Sequence, residues 1–323
     1  MGKSHKSFVK NRELAEKCAV FGVFSNSKDD SAARLVSTGL WALQHRGQEA
    51  TGISISDGKR IQTHKGPGLV ASVHTEEALE KLTGYIAIGH NRYSTFGGIF
   101  GHFQPVNSER NLLALAHNGN LPVVTTLREF LKETKRPLDH LNDSELMHEA
   151  IEIFMEKGLP VEEAITKAFP LFTGAFALII LTKDKLIGIR DAHGIRPFCI
   201  GKLDGGGFVL SSETCGLDSI GAEFIRDVKP GEMVVIDNTG LTSYQLVKGK
   251  ETLDIFELVY FARPDSFMYG KNINEVRREM GRQLAREQHI EADVVVPVPN
   301  SAIPAALGYA EESGIKFDHG LIK

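Results

Sequence analysis

The 323-residue chain carries 37 Lys and Arg against 41 Asp and Glu, a formal charge of -4. It therefore has no general basic field for nucleic acid, and small-molecule chemistry is the better expectation. Its length points to two domains, or one large domain with an appendage, and its three cysteines (Cys18, Cys199 and Cys215) lie far apart without CxxC spacing, which argues against a disulfide framework or a zinc site made within this chain and for a reducing compartment.

Residues 1–17 are rich in Lys and Arg but lack the continuous apolar centre of a signal peptide. Met1-Gly2 opens like a myristoylation signal, yet Lys6 stands where Ser or Thr is required. No stretch approaches the roughly 20 apolar residues of a membrane span, so a cytoplasmic protein with a short leader and no membrane partner is expected. Cys18 then directly precedes an apolar run, 20–24, that reads as a strand. A cysteine attacks as its thiolate and needs a base beside it. If the chain is cut before Cys18, the new α-amino group, with a pKa of roughly 7.7 to 8, is that base. A buried structural cysteine at the head of a core strand is the alternative.

Asp29-Asp30-Ser31 can cap a helix running to about residue 44, with Ala33, Val36, Leu40 and Leu43 at helical spacing. It ends in His45-Arg46-Gly47-Gln48, where Gly47 can stop the helix and His45 and Arg46 can complement its dipole. Segments 53–56 and 60–64 flank Asp57-Gly58, a hairpin signal. The strand expected at 86–89 runs into His90-Asn91-Arg92-Tyr93 and a glycine-rich segment. Arg92 there is either a surface arginine or a carboxylate clamp, since guanidinium meets a carboxylate through two parallel bonds. A strand at 112–116 ends in His117-Asn118-Gly119-Asn120, read either as a hairpin turn or as an exposed turn whose Asn118 amide and Gly119 N–H face one oxygen.

Asn142-Asp143-Ser144-Glu145 opens a helix to residue 157 with capping-box spacing, so Asp143 is either a first-turn charge or the holder of a substrate ammonium. A helix at 161–169 and strands at 174–181, 185–190, 198–201 and 208–211 complete an α+β pattern. Past residue 250 come a turn-rich joint at 262–266, a charged helix at 274–288, an apolar strand at 293–296, a loop at 297–301 and a helix at 304–312. That order resembles the opening of a parallel nucleotide-type sheet, with one strand too few to bury both its faces.

Taken in order, Cys18 with its leader, Leu43-Gln44-His45-Arg46-Gly47-Gln48-Glu49, Gly89-His90-Asn91-Arg92-Tyr93, Ala116-His117-Asn118-Gly119-Asn120-Leu121 and Asn142-Asp143-Ser144-Glu145 resemble one family, the glutamine phosphoribosylpyrophosphate amidotransferases (amidophosphoribosyltransferases). The stretches 188–197, 211–215 and 293–301 extend the likeness, and Tyr260-Phe261-Ala262-Arg263-Pro264-Asp265-Ser266 is its most specific part. The resemblance implies a leader at 1–17, an α+β N-terminal-nucleophile glutaminase domain (an αββα sandwich) at 18–250, and the start of an α/β type I phosphoribosyltransferase domain at 251–323. It casts Cys18 as nucleophile, Asn118 and Gly119 as oxyanion donors, Arg92 and Asp143 as holders of the glutamine carboxylate and ammonium, and Arg46 as support for the cysteine loop. Ammonia from glutamine would then displace pyrophosphate from phosphoribosyl pyrophosphate to give 5-phosphoribosylamine, the first committed step of purine synthesis, with Mg2+ accompanying that substrate and a homo-oligomer expected at full length.

Three departures accompany the likeness. Many relatives with a leader carry an iron–sulfur cluster, but Thr252-Leu253-Asp254-Ile255 offers no ligand cysteine, so no cluster is assigned. Lys17 replaces the acidic residue often found before the nucleophile. The acidic motif that binds phosphoribosyl pyrophosphate is expected beyond Lys323, in a fragment's missing part or elsewhere. The competing readings are the glutaminase half of a glucosamine-6-phosphate synthase, against which Arg263-Pro264-Asp265-Ser266 argues, and a catalytically silent assembly subunit that keeps its leader.

Overall fold

Ala19–Phe24 forms the first strand, β1, and all six of its residues are buried because both of its faces meet apolar cores. The computed structural model describes residues 18–26, 32–93, 102–134, 136, 138–288 and 290–322. The leader, the Asp29-Asp30-Ser31 cap and the glycine-rich segment 97–101 lie outside the described residues. After β1 come β2 (Ala50–Ser56), β3 (Ile61–Pro67), β4 (Ile86–Arg92), β5 (Val106–Asn107), β6 (Ala114–Asn120), β7 (Ala175–Leu181), β8 (Leu186–Arg190), β9 (Cys199–Lys202), β10 (Phe208–Ser211), β11 (Glu223–Asp227), β12 (Glu232–Asp237) and β13 (Gly240–Gln245). The helices in this part are α1 (Ala32–Ala42), α2 (Val70–Val73), α3 (Glu76–Glu80), α4 (Thr125–Lys132), α5 (Asp143–Glu156), α6 (Val161–Ala168) and α7 (Thr214–Asp218).

Two antiparallel sheets result, one ordered β11-β9-β10-β1-β4-β2-β3 and the other β13-β12-β8-β7-β6-β5. Period-two alternation sends one set of side chains from each sheet into a shared inner core, where Val20, Ile86 and Ile88 meet Ala116, Ile179 and Leu186. The other set packs outward under helices. Phe21 and Ile53 meet Val36 and Leu40 of α1 on one side, and Leu115 and Leu178 meet Leu146 and Ile151 of α5 on the other. Helix, sheet, sheet, helix is the αββα sandwich that the resemblance implies.

Beyond residue 250 the chain forms a π-helical turn (Glu257–Phe261), a short hairpin of β14 (Phe267–Met268) and β15 (Lys271–Asn272), and two helices, α8 (Ile273–Glu287) and α9 (Ile303–Ser313). The turn is anchored by Arg277 of α8, buried, whose guanidinium donates to the carbonyls of Leu258 at 2.6 Å and Ala262 at 2.8 Å. The strand expected at 293–296 is reduced to one parallel bridge between Val295 and Phe317, held by Val295 N–H to Lys316 O at 2.8 Å and Asp318 N–H to Val295 O at 3.1 Å. Val294 and Val296 stay 42% and 39% exposed, because an apolar run becomes a buried parallel strand only with neighbours on its edges and cover on both faces. Among the described residues no helix is long and apolar enough to cross a membrane.

Candidate active site

Cys18 sits buried immediately before β1, whose first residue Ala19 pairs with Asn91 of β4, so Arg92 follows directly beside the cysteine's end of the sheet. The Cys18 carbonyl accepts the Nε–H of Arg46 at 3.2 Å. Arg46 belongs to a 3-10 turn, Gln44–Arg46, and is itself buried, so its reading as a last helical turn that merely complements the helix dipole gives way to a paired, interior role. Gly47 follows in extended backbone, where any Cβ would come within 2.7 Å of the Asn91 carbonyl. That close approach brings the turn against the end of β4.

Arg46 is held by two buried carboxylates. Its Nη1 donates to Glu213 Oε1 at 2.5 Å and to Glu257 Oε2 at 3.0 Å, and its Nη2 donates to Glu257 Oε1 at 2.5 Å. Glu213 also accepts from His45 Nε2 at 2.7 Å, the backbone N–H of Arg263 at 2.9 Å and the Ser266 hydroxyl at 2.6 Å. Burial opposes ionisation of Glu213, but Arg46, His45 and Ser266 outweigh it and hold the carboxyl well below the usual range. The reciprocal fields of Glu257 and Glu213 overcome burial at Arg46 and keep it charged. Neither Glu213 nor Glu257 is visible as a site residue in the sequence. The one signal was their position in or beside the family-like stretches 211–215 and 260–266.

Asn118 and Gly119 lie in β6 and not in a turn. The strand runs on to Asn120, paired with β7 at Asn118–Ala177 and Gly119–Phe176, and Asn118 is fully buried. Both turn readings of this stretch are therefore corrected, because β7 supplies a partner strand along its whole length. Gly119 has φ +150°, and a Cβ there would lie 2.1 Å from the Ala175 carbonyl, so only glycine fits. The Asn118 amide reaches Ser212 Oγ at 3.5 Å, and Ser212 Oγ accepts the Val20 N–H of β1 at 2.9 Å. Ser212, which the sequence did not single out, thus ties β6 to the strand that carries Cys18.

Asp143 opens α5 behind a complete capping box of Asn142 and Glu145. The cap leaves the Asp143 carboxylate to other partners, the N–H of Leu121 at 3.1 Å and that of Ser144 at 2.8 Å. Leu121 directly follows β6, so Asp143 stands at the same strand end as Asn118 and Gly119. Arg92 is half-buried and donates to the His102 carbonyl at 3.1 Å. Cys18 and Arg46 are thus in direct contact, Asn118 joins them through Ser212, and Arg92 and Asp143 flank them on the ends of β4 and α5.

The residues do not fit a cysteine-ligated cluster. Cys199 and Cys215 are packed in the outer core and burial pushes both thiols up, so they are poor thiolate donors. Residues 252–255 hold no sulfur. Among the described residues the only grouping of possible metal donors is His148, Glu149 and Glu152, and Arg110 and Arg136 already occupy its carboxylates.

A glutamine amidotransferase domain model matches residues 90–219. The chain is 44% identical over 315 residues to an amidophosphoribosyltransferase of Synechococcus elongatus, covering 95% of this chain and 64% of that protein. It is 40% identical over 325 residues to one of Methanocaldococcus jannaschii, covering 95% and 69%. The structure superposes on glutamine phosphoribosylpyrophosphate amidotransferase from B. subtilis, complexed with ADP and GMP, with a TM-score of 0.87 at 38% identity, covering 95% of this chain and 66% of that one. The chain thus spans a little under two thirds of the length of curated relatives such as those of Synechococcus and Synechocystis. With the sandwich, the buried cysteine at its first strand and similarity along nearly the whole chain in agreement, this protein belongs to the amidophosphoribosyltransferase family.

Proposed function

We propose that Cys18, exposed as the N-terminal residue by removal of residues 1–17, attacks the side-chain amide carbon of glutamine. Its own α-amino group takes the thiol proton and passes it to the departing nitrogen, which leaves as ammonia. A γ-glutamyl thioester remains, and water hydrolyses it to glutamate and restores the thiol. The Asn118 amide and the Gly119 N–H stabilise the oxyanion, Arg92 pairs with the α-carboxylate, and Asp143 pairs with the α-ammonium. Arg46 fixes the cysteine's backbone.

The observation that carries this reading is the convergence of Cys18, Arg92, Asn118 and Asp143 at one end of the sandwich, with Arg46 on the Cys18 carbonyl. A cleft of about 370 Å3 opens from this end, lined by Arg46, Gln48 and Tyr93 on one side and by Tyr260, Pro299 and Ser301 on the other. It supports the second half of the proposal, in which ammonia crosses to phosphoribosyl pyrophosphate, bonds to its C1 and expels pyrophosphate to give 5-phosphoribosylamine. Domain boundaries near residues 18 and 250 and a Mg2+ ion accompanying the pyrophosphate belong to the same proposal.

The test is glutamate release from glutamine by chain whose N-terminus is established by intact mass. Release by chain beginning at Cys18, lost in Cys18→Ala, supports the glutaminase; no release overturns it. Pyrophosphate formed in step with glutamate when phosphoribosyl pyrophosphate and Mg2+ are added supports the transfer half. Glutamate without pyrophosphate confines this chain to glutamine hydrolysis.

A further inference from the structure

His117 lies one residue before Asn118 and, by strand alternation, points away from the inner core toward α5. Its side chain is 1% exposed. Its Nδ1 stands 3.1 Å from Ser144 Oγ and 3.7 Å from Asp143 Oδ2. Gln104, also buried, completes the set: its Oε1 accepts the His117 backbone N–H at 2.6 Å and its Nε2 donates to Ser144 Oγ at 3.0 Å. Ser144 Oγ in turn faces Asp143 Oδ1 at 3.4 Å. The His117 carbonyl accepts His90 Nε2 at 3.1 Å, so the ring is clamped at both backbone ends.

The Asp143 carboxylate at the far end of the relay sets the direction we assign to it. Burial lowers the His117 pKa and keeps the imidazole neutral, although Asp143 works the other way. An ionised Asp143 draws the Ser144 hydroxyl proton toward itself, which leaves Ser144 Oγ to accept from both Gln104 and His117. In that arrangement the imidazole carries its proton on Nδ1, while Nε2 is buried and without a hydrogen-bond partner among the described residues. A buried acceptor left unmade costs free energy, so the histidine is not explained by its own satisfaction. What it does satisfy is the hydroxyl that faces the carboxylate.

We propose that His117 is a positioning residue for recognition of the substrate α-amino group, acting through Ser144, with Gln104 as brace, to fix the Asp143 carboxylate. One strand would then set both the oxyanion donors, through Asn118 and Gly119, and the ammonium acceptor, through His117. This inference rests on the glutaminase reading of Asp143.

The test uses glutamine and 4-carbamoylbutanoate, which is glutamine without its α-amino group, and reads the ratio of their kcat/KM values. His117→Phe keeps ring volume without a donor, and His117→Asn places an amide N–H where Nδ1–H stands. Ser144→Ala cuts the relay from the helix side and carries the test alone if His117→Phe does not fold. His117→Phe and Ser144→Ala are expected to shrink the ratio about tenfold, mostly through a higher glutamine KM, and His117→Asn to restore most of it. If the variants slow both substrates equally, or if the Asn variant is no better than Phe, the inference is overturned. Asp143→Asn separates the two levels: a ratio unchanged in it removes Asp143 from the ammonium site and the inference with it. A ratio that collapses only in Asp143→Asn removes His117 alone.

Discussion

Glu213→Gln tests the buried ionic junction that joins Cys18 to the segment past residue 250. In the folded chain Glu213 Oε1 accepts from His45 and Arg46, and Oε2 accepts from Ser266 and the backbone of Arg263. Replacing either oxygen by an NH2 group sets donor against donor. The Ser266 hydroxyl can rotate and His45 can change tautomer, but the Arg263 N–H and the Arg46 guanidinium cannot become acceptors. One orphaned buried donor costs about 1–3 kcal/mol and the lost charge-assisted bond about 1.5–3, so a total near 3 kcal/mol is expected. For a chain of this size that corresponds to a fall in Tm of about 6 °C. Thermal unfolding by circular dichroism at neutral pH measures it. Glu257→Gln should act in the same direction, and the double variant should lose more than the sum, because Arg46 is then a buried cation without a carboxylate. A shift below about 2 °C for Glu213→Gln would show that water reaches the junction, and the reasoning from burial would fail.

Arg92→Lys keeps the charge but loses the planar fork, and should raise the glutamine KM about tenfold or more; an unchanged KM would remove Arg92 from the site. Stability should fall as pH drops below about 6.5, through two buried histidines. Burial above all holds His90 at about 3 and His74 at about 4, whereas the unfolded chain protonates them near 6.5. Their contribution is therefore complete above pH 6.5 and is lost as pH falls toward those folded values. At pH 5 each has withdrawn on the order of 2 kcal/mol. Tm measured at pH 7.5 and pH 5 reads this directly, and a flat profile would mean that the two rings are solvated.

Much of the sandwich was legible because its strands are apolar runs with turn signals between them, as at 174–181 and 185–190. The inner strands of a doubly covered sheet need no alternation to be recognised. β11, β12 and β13 were passed over: β11 and β13 are edge strands with largely exposed residues, and carry weak patterning. The 293–296 segment failed in the opposite sense, since apolar content alone does not supply neighbouring strands. At the candidate site the residue types and their order were readable, but the strand carrying Asn118 and Gly119 was not, because Asn-Gly is a strong local turn signal that pairing with β7 overrides. Arg46 shows the deeper limit. A sequence cannot display that Glu213 and Glu257, 167 and 211 residues away, converge on one guanidinium. Ser144 and Gln104 were likewise hidden, their roles being set by where α5 meets the end of β6.

Covalent trapping by a γ-diazoketone analogue of glutamine tests the central claim, that Cys18 at a free N-terminus is the nucleophile. Intact-mass and peptide analysis should show one adduct, on Cys18, in chain that begins at Cys18. Cys18→Ala should give none, and excess glutamine should slow the labelling. An adduct on Cys199 or Cys215, or labelling at full rate in chain whose Lys17-Cys18 bond is intact, would contradict the account.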